Sequence, residues 1–268
     1  MEDSKMKRHI QSVIIALFAW VSAHAAVKTE EVTYSTNGTT MKGYLAYNDK
    51  TGGKRPGVLV VHEWWGHNEH ARQSARKLAQ LGYTALAVDM YGDGKQANHP
   101  NDAQKFVGEV MQNLDAAKAR FMAALDLLKK HQTVDGSRIA AIGYCFGGAV
   151  VLHMARFGVD LKGVVSFHGS YGTNTPAEKG KIKAAVLVCH GADDSFASAE
   201  QIDGLKKEMQ NAGVDFQFIS YPGARHGFTN PDADANGKKF NLALAYSKKA
   251  DKQSWGDMQK FFKRIFSK

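Results

Sequence analysis

The chain has 268 residues, 44% of them hydrophobic and 23% charged, with a formal net charge of +9. That is enough apolar material for a full core and too much for a disordered tail. The lysines are interspersed with acidic residues, with no zinc-finger or RNA-binding signature, so the charge reads as a solvated surface and no nucleic acid is expected as a partner.

In chain order, Lys7 and Arg8 precede the short apolar run Val13 to Val21, followed by Ala23-His24-Ala25. A basic flank, a short apolar core and a small-residue exit predict a secretory signal peptide over residues 1–25. The run is too short for a membrane span of about 20 residues. Export to a secreted or periplasmic location follows, with no stable span after cleavage and residues 26–268 as a single domain. Two cysteines, Cys145 and Cys189, make no disulfide scaffold.

Val32 to Tyr34 and Met41 to Tyr47 flank Thr36-Asn37-Gly38-Thr39, which predicts a β-hairpin. Apolar runs follow at 57–62, 84–88, 138–144, 161–167, 185–189 and 216–221. Between them lie helical periodicities near 71–79, 114–131, 147–157 and 198–211, with a last helix over about 254–266. Continuous apolar strands alternating with helices predict an α/β fold with a mostly parallel, doubly wound sheet. Ligands bind such sheets at the carboxyl ends of the strands. The stretch from His226 to about Tyr246 shows no clear period and reads as a long, functional loop.

The strand ends carry the chemistry. Gly143-Tyr144-Cys145-Phe146-Gly147-Gly148 lies between a strand and a helix. It is the G-x-S-x-G nucleophile elbow with Cys in place of Ser. The sharp turn leaves no room for side chains two residues before and after the nucleophile. The helix behind it offers free N–H groups and a positive dipole end, which favour thiolate. A base and its orienter must follow in the order nucleophile, acid, histidine. His190-Gly191-Ala192-Asp193-Asp194 follows one later strand and Pro222-Gly223-Ala224-Arg225-His226 the next, so His226 is the expected base among 11 histidines. His62, His168 and His190 also end strands and read as packing or capping residues. The oxyanion hole is expected from the backbone N–H groups of Phe146 and Trp64. His62-Glu63-Trp64-Trp65-Gly66-His67 superficially resembles a zinc motif. Its histidines stand five apart beside a glycine rather than four apart on a helix, so no metal and no other cofactor are expected. A strand between those of Cys145 and Cys189 separates the thiols by about 9–10 Å, beyond disulfide reach.

These pieces, with His62-Glu63-Trp64-Trp65-Gly66 and Tyr221-Pro222-Gly223-Ala224-Arg225-His226-Gly227-Phe228, resemble the dienelactone hydrolase (carboxymethylenebutenolidase-like) family of the α/β-hydrolase fold. The resemblance implies a Cys145–His226–Asp194 triad, with Asp193 as the alternative acid. It also implies hydrolysis of a small-molecule ester or lactone, in the class EC 3.1.1, through a thioester. It further implies that Glu63 contacts the thiol at rest and modulates its charge. Family members are similar in gripping a substrate carboxylate with arginines. This chain has none over Asp89 to Lys95, and Asn230 at the other position, so the substrate is expected to be neutral or differently placed, with Lys95 or Arg72 as the alternative cations. Trp65, Tyr91 and Phe228 are the remaining pocket candidates. The rival reading is a non-catalytic ligand-binding protein on a hydrolase fold, and a monomer is the expected state.

Overall fold

The computed structural model describes residues 27–50 and 52–267; the signal peptide expected over 1–25 lies outside them. Eight strands in the described residues form one sheet. In chain order they are β1 (Val27–Thr36), β2 (Thr39–Asn48), β3 (Arg55–Val61), β4 (Thr84–Val88), β5 (Val134–Tyr144), β6 (Gly163–Phe167), β7 (Ala185–Gly191) and β8 (Phe216–Tyr221). Their order across the sheet is β1-β2-β4-β3-β5-β6-β7-β8. β1 and β2 pair as an antiparallel hairpin and β2 pairs antiparallel with β4. The remaining pairings are parallel. This is the α/β-hydrolase architecture with its N-terminal hairpin.

The apolar runs form central strands because both of their faces are covered. Leu59, Val61, Leu86 and Val88 point into one core layer, and Val58, Val60, Ala85 and Ala87 into the other. The first layer is closed by α3 (Leu114–Lys130), α4 (Phe146–Arg156) and α5 (Ala199–Ala212), the second by α1 (Glu69–Gln80) and α7 (Lys248–Phe266). The stripe Ala117, Phe121, Ala124, Leu125 and Leu128 is the buried face of α3. Period-two burial in the strands thus meets period-3.6 burial in the helices, and the crossovers bring every parallel strand end to one edge of the sheet.

Three helices depart from the sequence reading. α2 (Pro100–Met111) buries only Ala103 and Val110, which is too weak a stripe to stand out. Its signal was local: Pro100 stands near the first helical position and the His99 side chain caps the Asn101 amide. α6 (Ala233–Phe240) sits inside the stretch read as an irregular loop. It is polar and short, and buries only Ala233 and Gly237. α7 begins at Lys248, before the expected 254, where the Ser247 side chain caps the Ala250 amide.

One buried carboxylate organises the loop after β4. Asp89 accepts from the backbone amides of Lys42 at 3.1 Å, Tyr91 at 3.0 Å, Gly92 at 2.8 Å and Gly94 at 2.7 Å. The loop so held sends the Tyr91 hydroxyl to the Trp64 carbonyl, 2.9 Å away, and braces the segment after β3. Removing this acceptor strands several buried donors. Asp89→Ala is therefore expected to destabilise the protein by about 4 kcal/mol in urea unfolding, with Asp89→Asn intermediate. A loss below about 1 kcal/mol would show that those amides find other partners.

Candidate active site

Cys145 sits between β5 and α4 with φ 52° and ψ −115°. For a residue other than glycine this backbone is strained by about 1–3 kcal/mol. The surroundings impose it. A Cβ on Gly143 would run into the Gly147 carbonyl, and one on Gly147 into the Val61 carbonyl of β3. A Cβ on Gly148 would come within 2.7 Å of the Ser166 hydroxyl on β6. The Cys145 amide donates to the Phe167 carbonyl at 3.0 Å, which fixes the turn to the end of β6. The thiol is partly exposed at the floor of a cleft. Phe146 is the first residue of α4, so its amide has no acceptor within its own helix.

His226 and Asp194 reach the thiol from the ends of β8 and β7. The Cys145 thiol is hydrogen-bonded to His226. His226 Nδ1 lies 2.9 Å from Asp194 Oδ2, and all but a few percent of both side chains is buried. The other Asp194 oxygen accepts from the Phe196 amide at 2.9 Å, so the carboxylate cannot swing away. Asp193, the alternative acid, is exposed, and its amide is tied to the Ala224 carbonyl at 2.9 Å. The stretch after β8 returns to support the histidine: Ala245 N–H donates to the His226 carbonyl at 3.1 Å.

The electrostatics single out one imidazole. Burial alone pushes His226 toward neutrality. The electrostatic pull of the Cys145 sulfur and the hydrogen bond that His226 donates to Asp194 outweigh it and raise the pKa to about 10. The other strand-end histidines go the opposite way. His62 accepts from the Met90 amide on Nε2 at 3.2 Å, so its Nδ1 carries the proton and donates to the Glu63 carbonyl at 2.6 Å. Burial holds it below its ordinary pKa. His168 is pushed well down by burial and by the charge of nearby His226, and its Nε2 meets Thr229 Oγ1 at 2.8 Å. His190, lowered by burial, pairs with the Tyr171 hydroxyl at 3.0 Å. All three are packing residues.

Glu63 is placed differently from the expectation. It is buried at the end of β3, but its carboxylate accepts from Asn230 Nδ2 at 2.5 Å and faces His70 Nδ1 at 3.8 Å. These polar partners hold it, and no hydrogen bond to the thiol forms. The expected resting contact between Glu63 and Cys145 is therefore replaced by a contact with Asn230. The amide that stands where an arginine was looked for is thus a ligand of Glu63. His70 was not a sequence candidate for this role; its place as the second residue of α1 gives no spacing signal.

The cleft over the thiol has a volume of about 180 Å³. With Cys145 and His226, it is lined by Trp64, Phe146, Val107 of α2 and Leu244 of the returning stretch. Ser170 and Phe196 complete the rim. Of the expected pocket residues, none of Trp65, Tyr91 and Phe228 lines it. Trp65 is buried against Ala97, Ala103 and Phe240. Tyr91 packs behind the wall on His62, Phe106 and Phe146. Phe228 is fully buried beneath His168. Their aromatic character signalled burial, not contact. Val107, Ser170, Phe196 and Leu244 were missed because each lies in a loop or weak helix whose path the sequence does not fix.

Cys189 is also a free thiol, as the strand order requires, because β6 lies between β5 and β7. Burial pushes its pKa up to about 12, and its sulfur accepts from the Tyr221 hydroxyl at 3.5 Å.

Comparison with known proteins gives a consistent picture. The model of the "Dienelactone hydrolase family" matches residues 41–266. A solved structure described as m3DLH is 39% identical with a TM-score of 0.84, covering 90% of this chain and 99% of its own. A dienelactone hydrolase-like promiscuous phosphotriesterase, P91 from metagenomic libraries, is 36% identical with a TM-score of 0.83 over 90% of this chain and 99% of its own. A putative carboxymethylenebutenolidase of Aquifex aeolicus is 29% identical over 205 residues, 74% of this chain and 86% of that protein.

The raised His226 pKa has a consequence for stability. A folded pKa above the unfolded value of about 6.5 stabilises the fold fully below that pH and progressively less up to about 10. The difference in unfolding free energy between the unaltered protein and His226→Gln is expected to shrink from pH 6 to pH 10. Denaturant titrations at several pH values measure it, and a constant difference would contradict the ion-pair geometry.

Proposed function

We propose that this chain, which belongs to the dienelactone hydrolase family, is a carboxylic ester or lactone hydrolase that works through Cys145, His226 and Asp194. As a hydrolase of this family it acts on a small molecule. The observation that carries the finer reading is the strained Cys145 elbow, with its sulfur hydrogen-bonded to an imidazole whose other nitrogen is held by a buried carboxylate.

The reaction starts from the Cys145 thiolate and protonated His226. The sulfur attacks the carbonyl carbon, a C–S bond forms, and the π electrons move to oxygen. The Phe146 amide at the head of α4 and the Trp64 amide, whose segment is braced by Tyr91, hold that oxygen. One such donor is worth about 3 kcal/mol in the transition state. The tetrahedral species collapses, the C–O bond breaks, and His226 gives its proton to the leaving oxygen. The alcohol departs and a thioester remains on Cys145. Neutral His226 then takes a proton from water as the water attacks the thioester. The second collapse expels the Cys145 thiolate and releases the acid, which restores the starting ion pair. Asp194 steadies the imidazolium in both halves. Glu63, held by Asn230, takes no proton in this cycle.

Cys145→Ala is expected to abolish turnover of a small aryl ester, and iodoacetamide should label Cys145 while buried Cys189 stays unmodified in the native protein. Turnover within ten-fold of the unaltered rate in Cys145→Ala would falsify the assignment, whereas a native Cys145 that resists labelling would favour the binding-protein reading.

A further inference from the structure

Phe196 is an anomaly of the surface. Among the described residues only two large hydrophobic side chains are exposed, Leu81 at 42% and Phe196 at 46%. Leu81 caps the end of α1, an ordinary place for a stray leucine. Phe196 stands on the rim of the cleft, with its ring 4.6 Å from the His226 ring and inclined by 39°. Its backbone is fixed by the same carboxylate that orients the histidine, through the 2.9 Å bond from its amide to Asp194. An aromatic face left in water beside the proton donor is a surface waiting for an apolar partner.

The side of the substrate that meets it follows from the chemistry. His226 must deliver its proton to the leaving oxygen. A leaving group placed where the imidazole reaches it lies next to the Phe196 ring, which is tilted against that imidazole. The acyl group goes to the other side, into the cleft. A cleft of about 180 Å³ admits about one six-membered ring, since an apolar cavity near 150 Å³ holds benzene. No Lys, Arg, Asp or Glu among the described residues lines it. A substrate carboxylate there would lose water without gaining a counter-charge, because His226 is already paired with Asp194.

We propose that the site takes uncharged esters of planar aromatic alcohols with a short acyl group, and that Phe196 is the residue that selects the leaving group. This rests on the reading of Cys145, Asp194 and His226 as the reacting set. Phe196 donates and accepts no proton; it holds the departing ring against its own face, edge-on or offset.

The test uses the purified full chain and four esters: phenyl acetate, cyclohexyl acetate, phenyl butyrate and monophenyl succinate. The intrinsic difference between phenol and cyclohexanol as leaving groups cancels when the phenyl-to-cyclohexyl ratio of kcat/KM is compared between proteins. Phe196→Ala is expected to lower that ratio about ten-fold, and Phe196→Trp to restore it. In the unaltered chain monophenyl succinate, whose acyl group carries a carboxylate into the cleft, is expected to show kcat/KM at least about ten-fold below phenyl butyrate, which has the same leaving group and acyl chain length. An unchanged ratio in Phe196→Ala overturns the proposal, as does an equal loss on both esters with a shifted pH midpoint of kcat/KM, which would mean that Phe196 acts only by seating His226. Preference for the carboxylated ester overturns it too. Each of these leaves the reading of the triad standing. Failure of the unaltered chain to cleave any of the four esters removes that reading and the proposal together.

Discussion

The backbone at Cys145 is the constraint on which the remainder of the molecule turns. An L-residue at φ 52°, ψ −115° is not held by its own preferences. It is held because α4 leaves β5 so abruptly that Gly143 and Gly147 touch, and because Gly147 and Gly148 lie directly against β3 and β6. Packing of three strands and one helix thus supplies the strain energy that lifts a thiol out of the sheet. The same hydrogen-bond row that fixes the turn continues sideways. Cys145 donates to Phe167, His168 to Cys189, Ala192 to Tyr221 and Asp193 to Ala224, so the ends of β5, β6, β7 and β8 are tied in sequence. Cys145, Asp194 and His226 are therefore placed by one sheet edge rather than by three independent loops.

The charge distribution follows the same plan. Several buried histidines crowd the strand ends, and protonation of more than one would set like charges against each other. Burial keeps His62, His168 and His190 neutral, while His226 alone has two negative neighbours. Glu63 is a further buried carboxylate; it accepts from Asn230 and faces His70. The buried Asp89 does different work, as an acceptor of backbone amides, and through Tyr91 it steadies the Trp64 segment.

Much of the sheet was legible in the sequence because covered strands must be continuously apolar and the elbow must be glycine-flanked. Cys145, Asp194 and His226 were legible for a related reason: each follows a strand, and strand ends converge in a parallel sheet. The site's walls were not. Trp65, Tyr91 and Phe228 have the composition of pocket residues, yet large aromatics beside a site are as useful in its scaffold, and there they went. α2 and α6 bury too few residues to leave a periodic trace, although they decide which side chains, Val107 and through the returning stretch Leu244, close the cleft. Asn230 drew attention only as a missing arginine. Its bond to Glu63 spans 167 positions of chain, and no local pattern encodes such a contact.

The central claim is that a covalent bond forms between the substrate's acyl group and one of two thiols. Intact-protein and peptide mass spectrometry after rapid acid quench of the protein with a slowly hydrolysed aryl ester observes that bond directly. The account predicts a single acyl adduct on the peptide that contains Cys145, absent when hydroxylamine is added before analysis. An ester consumed at the full rate with Cys145 never acylated, or an adduct found on Cys189 instead, would contradict it.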